Sequence, residues 1–263
     1  MSAQQHQSDP NILDRRTLRN DHRVLADLLA PGQSVLDVGC GTGAITKGIA
    51  EAVGPGGRVV GVDRDQAHVE RAQWLSQSFP NLSFQPGDAT NLNWEGQLDV
   101  VTSARTLQWI KNAGDAIRSM ARAAKRGGLV VVLDYDYNHA LNTWVPDPPP
   151  AFLAFYDAFL AWRHSNGWDN EMGNRLAELF HDAGLTGIEV RPQDETAEFG
   201  NQDFREKTAL WTEVIDNVAA NLQTGGFATP ALLQDARNQY EAWRGQLLKR
   251  QTLSMTAVTA RVP

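Results

Sequence analysis

Long apolar runs, basic charge and cysteine are all scarce in this sequence of 263 residues. No apolar run approaches the roughly 20 residues that a membrane-spanning helix needs, so we expect no membrane contact. The net charge of -7 argues against a nucleic-acid partner, because proteins that bind phosphate backbones usually present a basic surface. The only cysteine, Cys40, excludes an internal disulfide. Residues 1–8 are polar and unlike a secretory signal, so a cytoplasmic location is expected.

The rest of the composition is that of an ordinary globular protein. Hydrophobic residues make up 42% of the chain and charged residues 21%. A chain of this length buries a sizeable core, either in one large α/β domain or in two small ones. We expect a single domain over residues 1–263 that carries insertions.

The most informative stretch is residues 35–43, Val-Leu-Asp-Val-Gly-Cys-Gly-Thr-Gly. Its apolar residues are typical of a buried strand in a parallel sheet, and its three glycines allow unusual backbone dihedrals in the turn that follows. A helix is predicted directly afterwards, over residues 44–53. A strand, a glycine-rich turn and a helix N-terminus together form the usual binding site for a nucleotide-like ligand.

Predicted strands and helices alternate along most of the chain. Further strands are predicted over residues 58–63, 82–85, 98–103, 129–133, 186–190 and 252–262, and further helices over 65–79, 115–125 and 172–183. This alternation indicates an α/β fold with a parallel sheet covered by helices on both faces. Ligands of such sheets bind at the carboxyl ends of the strands.

Three segments lie outside this alternation. We predict an N-terminal lid helix over about residues 9–30, and helical cap insertions over about residues 140–170 and 201–248. An aromatic stripe on the predicted helix 151–165 is interpreted either as packing or as a pocket wall. The lid and the insertions are expected to close the pocket for the second substrate, and their aromatic residues favour an apolar or ring-containing molecule.

Asp37 distinguishes this glycine turn from other nucleotide-binding turns. A carboxylate just ahead of Gly39 would repel the diphosphate of a dinucleotide, so we expect the ligand to carry positive charge there. The spacing of Gly39, Gly41 and Ala44 fits the loose dinucleotide fingerprint, which alone is a weak signal. A Walker-type phosphate loop is excluded because Ile49 stands where its lysine belongs.

Two further aspartates follow neighbouring strands. Asp63 ends the predicted second strand, where an acidic side chain can accept both hydroxyls of a ribose. Asp88 follows the third strand, where its carboxylate can accept a hydrogen bond from an adenine amino group. Each aspartate taken alone is also compatible with a turn or a helix cap. The placement of all three favours an adenosyl ligand with a positive charge.

Together these motifs resemble the S-adenosylmethionine-dependent methyltransferases with a Rossmann-like fold, in particular the small-molecule branch related to ubiquinone and menaquinone C-methyltransferases. The resemblance covers about residues 30–137 and rests on residues 35–43, 59–63, 87–89, 98–101, 107–110 and 126–128. It implies a three-layer α/β fold with a seven-stranded, mostly parallel sheet, whose last strand is antiparallel. Helical cap insertions complete the predicted fold.

The resemblance also implies a set of cofactor-binding residues. In this family the glycine turn holds the methionine part of the cofactor, Asp63 would bind the ribose and Asp88 the adenine amino group. The residues predicted to bind S-adenosyl-L-methionine are Asp37, Gly39, Cys40, Gly41, Gly43, Asp63, Arg64, Asp88, Ala89, Ser103 and Ala104. Arg105 departs from the family pattern, and we interpret it either as a contact for an acidic acceptor or as the partner of a carboxylate.

His139 is the candidate catalytic residue, because it follows the fifth predicted strand and an imidazole titrates near neutral pH. The alternative is an incidental loop histidine. Cys40 is interpreted as a small packed residue in preference to a nucleophile. Asp134, Asp136 and Asn138 imitate the start of a calcium loop, but His139 and Val145 replace its glycine and glutamate. We therefore predict no metal site.

The sequence thus predicts an enzyme that transfers a methyl group from S-adenosylmethionine to an O, N or C nucleophile of a small, apolar or aromatic molecule. Three alternatives remain open: a nicotinamide-dependent oxidoreductase, a non-catalytic protein that binds S-adenosylmethionine, and a methyltransferase acting on a macromolecule. No oligomeric state is predicted.

Overall fold

The computed structural model describes residues 9–263, so residues 1–8, on which the prediction of no secretory signal rests, lie outside the described part. The described chain forms two compact units. We call residues 9–135, 172–193 and 255–263 the sheet unit, and residues 136–171 and 194–254 the helical unit.

Nine strands and ten α-helices lie within residues 9–263. The strands are β1 (Ser34–Val38), β2 (Arg58–Asp63), β3 (Leu82–Pro86), β4 (Leu98–Ala104), β5 (Ala124–Asp136), β6 (Thr143–Val145), β7 (Thr186–Pro192), β8 (Glu195–Glu198) and β9 (Arg250–Arg261). The helices are α1 (Pro10–Asp14), α2 (Leu18–Asp21), α3 (Arg23–Leu28), α4 (Ala44–Val53), α5 (Gln66–Leu75), α6 (Ala113–Ala123), α7 (Pro150–Ser165), α8 (Met172–Asp182), α9 (Phe204–Thr224) and α10 (Pro230–Gln246). None of these helices combines the length and the apolar character needed to cross a membrane.

The strands of the sheet unit are hydrogen-bonded in the order β3-β2-β1-β4-β5-β9, and β7 also pairs with β9. Strands β1 to β5 pair in parallel; Asp37 of β1 lies opposite Gly61 of β2 and Thr102 of β4. β7 and β9 run antiparallel, with Val190 opposite Val258. The predicted seven-stranded, mostly parallel sheet with an antiparallel last strand is therefore confirmed in this unit.

The helical unit adds two short strands that were not predicted from the sequence. β6 and β8 both pair antiparallel with residues 250–253 of β9, which brings the sheet to nine strands. These strands have three and four residues, and two residues of each are exposed. Such short segments lack the apolar alternation by which a strand is recognised in a sequence.

Alternate residues of the central strands face two separate apolar clusters. Leu36 of β1 belongs to the cluster that contains Ile117 of α6 and Leu176 of α8. Its neighbour Val35 belongs to the cluster that contains Ile49 of α4. Because successive side chains of a strand point to opposite faces, helices cover both faces of the sheet. The three-layer arrangement is confirmed, and the carboxyl ends of the parallel strands share one edge of the sheet.

The N-terminal lid helix predicted over about residues 9–30 is wrong as a single helix, because the structure contains α1, α2 and α3 instead. Thr17 starts a new helix, since its hydroxyl accepts a hydrogen bond from the Asn20 N–H at 3.2 Å. The Thr17 N–H in turn donates to Asp21 Oδ2 at 2.7 Å. His22, with φ -148° and ψ 58°, then interrupts the helical backbone. The leucine spacing continues across these interruptions, so periodicity alone suggested one helix.

His22 is a fully buried histidine between α2 and α3. Its Nε2 atom lies 2.9 Å from Thr102 Oγ1, and its Nδ1 atom has no hydrogen-bond partner among residues 9–263. Burial, followed by the nearby positive charge of Arg105, lowers the pKa of His22 to about 3. The folded protein therefore holds this imidazole in its neutral form near neutral pH.

We expect the contribution of His22 to the free energy of unfolding to fall by about 2 kcal/mol between about pH 6.5 and pH 5. The unfolded chain protonates a histidine below about pH 6.5. Folded His22 resists protonation until about pH 3, so the unfolded state binds more protons across this interval. Other groups also titrate in this interval, so urea unfolding of the wild type and of His22→Gln at both pH values measures the contribution as the difference between the two proteins. An unaltered pH dependence in His22→Gln would contradict the assignment.

Aromatic residues form the interior of the helical unit. Phe152 of α7 stacks on Tyr240 of α10, with ring centroids 4.6 Å apart, and Tyr156 contacts Trp211 of α9 at 5.1 Å. All four side chains are fully or almost fully buried. The aromatic stripe predicted on this helix is therefore a packing surface that joins α7 to α9 and α10.

Candidate functional site

The glycine turn joins β1 to α4 at the shared edge of the sheet. Gly39, Gly41 and Gly43 have φ values of 75°, 53° and 79°, which lie in the left-handed region. A Cβ atom at Gly39 would lie 2.2 Å from Thr106 Oγ1, and one at Gly43 would lie 2.6 Å from Phe84 Cζ. Both positions therefore lack the backbone conformation and the space that a side chain needs. The turn is left with a bare backbone, as close approach of a ligand to a main chain requires.

Asp37 is a buried carboxylate on β1, two residues ahead of the turn. Thr46 of α4 donates a hydrogen bond from its hydroxyl to Asp37 Oδ2 at 2.7 Å. Burial raises the pKa of Asp37 to about 6; the Thr46 hydrogen bond opposes this shift, and the nearby negative charge of Asp63 adds to it. A positively charged ligand beside Asp37 would relieve the cost of ionising this carboxyl.

We expect affinity for S-adenosylmethionine to rise as the pH is raised through about 6, where Asp37 ionises. If the bound ligand restores the ordinary pKa of about 4, linkage gives a gain of about tenfold between pH 5 and 7. Calorimetric titrations at several pH values measure this dependence. Asp37→Asn should show weaker and nearly pH-independent binding, and a variant as pH-dependent as the wild type would exclude Asp37 as the source.

Asp63, at the end of β2, is bonded directly to the glycine turn. Its Oδ2 atom accepts a hydrogen bond from the Gly41 N–H at 2.8 Å, and its Oδ1 atom accepts one from the Asp65 N–H at 2.9 Å. Each carboxylate oxygen can accept more than one hydrogen bond, so ligand hydroxyl groups can bind at the same oxygens. The structure thus brings Asp37, the glycine turn and Asp63 together.

Asp88 follows β3, beside the end of β2. The Gly87 N–H donates to the Asp63 carbonyl oxygen at 2.9 Å, which places the two strand ends next to each other. Asp88 Oδ1 accepts hydrogen bonds from the Thr90 N–H and the Thr90 hydroxyl, both at 2.8 Å. This is the local turn contact that the sequence left open as an alternative. Asp88 is exposed, and its role towards adenine stays a prediction.

The remaining residues predicted to contact the cofactor differ in burial and in hydrogen bonding. The buried Ser103 hydroxyl donates to the Val38 carbonyl oxygen at 2.7 Å, so this side chain joins β4 to β1. Ala104 and Ala89 are partly buried, and Arg64 is exposed. At Ser103 the side chain is therefore already engaged within the sheet.

Cys40 packs inside the glycine turn, against the small apolar cluster of Val69, Ala72 and Phe84. Burial, followed by the negative charges of Asp37 and Asp63, raises the pKa of the thiol. The reactive thiolate is therefore disfavoured, which supports the interpretation of Cys40 as a packed residue.

Two threonines of this site were missed in the sequence. Thr46 binds Asp37, and the Thr106 hydroxyl donates to the carbonyl oxygens of Gly39 at 3.3 Å and Ala104 at 3.1 Å. Thr46 lies in the first turn of α4, close behind the glycine turn. Once Asp37 is suspected of binding a ligand, this position marks Thr46 as a candidate contact for its carboxylate. Thr106 could not be recognised from the sequence, because its contact with Gly39 depends on the path of the chain after β4 in the folded protein.

Arg105 pairs with a carboxylate, as one of its two interpretations predicted. Its Nη2 atom lies 3.6 Å from Asp21 Oδ1, and its Nη1 atom donates to the Asp21 carbonyl oxygen at 2.8 Å. The Nε–H donates to the Tyr135 hydroxyl at 3.1 Å. The guanidinium is buried among these groups.

His139 lies in the helical unit and is paired with an acidic side chain. Its Nε2 atom lies 2.8 Å from Asp157 Oδ1, and its ring centroid lies 4.8 Å from that of Tyr156. The side chain is about half exposed, at 46%. An Asp–His pair of this kind can fix the ring orientation and leave Nδ1 as a proton acceptor. Its role as a base stays a prediction.

The calcium-like residues Asp134 and Asp136 do not form part of a metal cluster. Asp134 Oδ2 accepts a hydrogen bond from the Gln108 N–H at 3.1 Å. Across the described residues 9–263, no three His, Cys, Asp or Glu side chains are grouped to hold a metal ion.

Comparison with known proteins decides the family. The sequence profile of the family described as "Methyltransferase domain" matches residues 29–184, more than half of the chain. The demethylmenaquinone methyltransferase of Staphylococcus aureus (strain JH9) is 36% identical over 180 residues, which cover 64% of this chain and 75% of that enzyme. The chain belongs to the S-adenosylmethionine-dependent methyltransferases. Within that family it is similar to the methyltransferases of the menaquinone and ubiquinone type.

The chain spans about half the length of two other proteins to which it is similar. An uncharacterised 37.1 kDa protein in transposon TN4556 of Streptomyces fradiae is 34% identical over 180 residues, which cover 66% of this chain but only 50% of that protein. Phosphoethanolamine N-methyltransferase 2 of Haemonchus contortus, solved with S-adenosyl-L-methionine, superposes with a TM-score of 0.58 at 17% identity. That superposition covers 92% of this chain and 52% of that one, and it shows a shared fold.

The cofactor of this methyltransferase is S-adenosylmethionine. The residues present fit that molecule, because the bare glycine turn would admit its backbone contacts and Asp37 lies where a positive charge is favoured. A dinucleotide would instead place its diphosphate against the same carboxylate. Family membership and site chemistry thus agree, and the methyltransferase is favoured over the nicotinamide-dependent oxidoreductase.

Proposed function

We propose that this methyltransferase transfers a methyl group from S-adenosylmethionine to a small, apolar, ring-containing molecule. The observation that carries the proposal is the buried carboxylate of Asp37 beneath the glycine turn, with Asp63 bonded to the same turn. Positive charge and ribose hydroxyls on one ligand would satisfy both groups at once. The S. aureus demethylmenaquinone methyltransferase supports the choice of acceptor class.

We assign the cofactor contacts by strand. The glycine turn, with Gly39, Gly41 and Gly43, would hold the methionine part beside Asp37, and Asp63 would accept hydrogen bonds from the ribose. Beyond β3, Asp88 would contact the adenine amino group. The further members of this proposed set are Cys40, Arg64, Ala89, Ser103 and Ala104. At Ser103 the contact would come from the main chain, since the side chain is fully buried and its hydroxyl donates to Val38.

When bound, S-adenosylmethionine supplies a methyl group on a positively charged sulfur that is already a good leaving group. The residues of this chain therefore contribute mainly by holding the reactants in line and excluding water. A base is required only where the acceptor must lose a proton. We propose His139 for that step, with Nδ1 as the proton acceptor and Asp157 holding Nε2.

Demethylmenaquinone, reduced to its quinol, is the first acceptor to test. Incubation with methyl-labelled S-adenosylmethionine should place the label in the quinol fraction, and Asp63→Ala should abolish most of that transfer. Label found only in protein or nucleic acid would show a macromolecular acceptor. Binding of S-adenosylhomocysteine without transfer to the quinol or to a metabolite extract would support a non-catalytic binding protein.

We propose a cytoplasmic location and no nucleic-acid partner, supported by the lone cysteine and the net charge of -7. We also propose that the sheet unit and the helical unit belong to one methyltransferase domain.

A further inference from the structure

The segment of residues 10–28, which contains α1, α2 and α3, lies against the glycine turn within the sheet unit. A Cβ atom at Gly41 would lie 2.9 Å from Leu13 Cδ1. Asp14 of the same segment pairs with Arg71 of α5, with Arg71 Nε 3.1 Å from Asp14 Oδ2. We call residues 10–28 the N-terminal segment.

The helices of the N-terminal segment are too short to persist without support. They have five, four and six residues, whereas isolated helices need about 12 or more residues to be even marginally stable. The position of the segment over the turn therefore depends on the side chains that hold it there.

The joint between α2 and α3 is held by buried polar groups. Arg105 Nη1 donates to the Asp21 carbonyl oxygen at 2.8 Å, and Arg105 Nη2 lies 3.6 Å from Asp21 Oδ1. Gln193 Oε1 accepts a hydrogen bond from the Val24 N–H at 2.9 Å. Arg105 is the charged member of this set, and its side chain is 3% exposed. A buried charge–dipole contact of this kind is strong and geometrically specific.

The backbone of Arg105 is also unusual. Its φ of 58° makes it the only non-glycine residue with a left-handed backbone within residues 9–263. The next residue, Thr106, donates its hydroxyl to the Gly39 carbonyl oxygen at 3.3 Å and occupies the space that a side chain at Gly39 would need. Strained backbone of this kind persists where surrounding contacts enforce it, and such positions concentrate at functional sites. Arg105 and its neighbour thus connect Asp21 to the glycine turn.

We propose that Arg105 is a positioning residue that holds the N-terminal segment over the glycine turn and thereby slows the release of S-adenosylmethionine. The inference rests on the proposed function, in which that turn binds the cofactor. Removing the guanidinium loosens the joint, because Asp21 loses both contacts with Arg105, while Asp37 and Asp63 keep their own contacts. Arg105 therefore controls cofactor retention without touching the reacting atoms.

Arg105→Gly is the most direct test, because glycine accepts the left-handed backbone and the change removes only the side chain. We expect amide hydrogen exchange of residues 10–28 to accelerate by about tenfold or more, while exchange in β1 and β4 stays as in the wild type. The dissociation rate of S-adenosylhomocysteine should rise by a similar factor. Arg105→Lys keeps the charge and should restore part of both effects.

Arg118→Ala is the matched control, since Arg118 is an exposed arginine that pairs with Asp115 on the same helix, α6. It should leave both measurements unchanged. Wild-type exchange of residues 10–28 in Arg105→Gly, or faster exchange without faster dissociation, would overturn the proposal. If amide exchange accelerates in every strand, Arg105→Gly has destabilised the whole fold. The same two measurements are then made on Asp21→Asn, which removes the charge that pairs with Arg105. A wild-type protein that binds no S-adenosylhomocysteine would refute the proposed function, whereas the exchange data would still test the hold of Arg105 on the segment.

Discussion

Replacing Asp63 by alanine is expected to weaken the binding of S-adenosylhomocysteine by about 100-fold. Two hydrogen bonds from ligand hydroxyls to a carboxylate contribute together about 3 kcal/mol, which corresponds to that factor. The change also leaves the Gly41 N–H without the acceptor that it now has at 2.8 Å, so the turn loses a contact that fixes its conformation. Calorimetric titration of both proteins measures the difference.

Asp65→Ala is the matched control for this experiment. Asp65 is the next acidic residue along the chain. Its Oδ1 atom caps α5 by accepting a hydrogen bond from the Ala67 N–H at 2.9 Å. Losing a cap of this type costs about 1 kcal/mol of stability, and we expect little change in affinity. Asp63→Asn keeps one acceptor oxygen and should fall between wild type and Asp63→Ala. Equal affinity in Asp63→Ala and Asp65→Ala would exclude Asp63 as a cofactor contact.

The substitution Gly39→Ala is expected to lower the free energy of unfolding by about 3 kcal/mol. The new Cβ atom would lie 2.2 Å from Thr106 Oγ1 and 2.7 Å from Thr106 Cβ, so Thr106, two residues beyond the end of β4, must shift. The φ of 75° adds the cost of a left-handed backbone for an L residue. Urea unfolding measures the loss, and cofactor binding should fall with it because the turn moves.

Gly184→Ala separates the two causes. Gly184 follows α8 with a left-handed φ of 76°, and the Gly184 and Leu185 N–H groups close the helix end on the carbonyl oxygens of His181 and Phe180. A Cβ atom at Gly184 has nothing within 4 Å, so only the conformational cost of about 1 kcal/mol applies, and affinity for the cofactor should be unchanged. A loss of stability as large for Gly184→Ala as for Gly39→Ala would contradict the assigned contact with Thr106.

The core of the fold was predictable because its signals are local. The apolar residues of β1 and the glycines after them lie within nine consecutive residues, and the helix predicted over residues 44–53 has the bounds of α4. The predicted end of α5 at residue 79 was too late, since the helix ends at Leu75 before a turn. The breaks among α1, α2 and α3 depend on the Thr17–Asp21 contacts and on a buried histidine, which leucine spacing does not reveal.

The sequence predicted where the acidic residues of the site lie in the fold, but it did not predict their hydrogen-bond partners. The carboxyl ends of parallel strands meet at one edge, so aspartates at or just beyond the ends of β1, β2 and β3 had to lie near one another. That Asp63 accepts a hydrogen bond from Gly41, or that Ser103 donates to Val38, depends on side-chain directions fixed only in the folded sheet. The pairing of Arg105 with Asp21 joins residues 84 positions apart, a distance at which no local pattern specifies a partner.

The central claim is that the glycine turn, with Asp37 and Asp63, binds an adenosyl ligand that carries positive charge. Parallel calorimetric titrations of the wild-type protein with S-adenosylhomocysteine and NAD test it most directly. We predict saturable binding of S-adenosylhomocysteine at one site per chain, at least about 100-fold tighter than NAD, because Asp37 attracts an ammonium group and repels a diphosphate. Equal or tighter binding of NAD would contradict the claim.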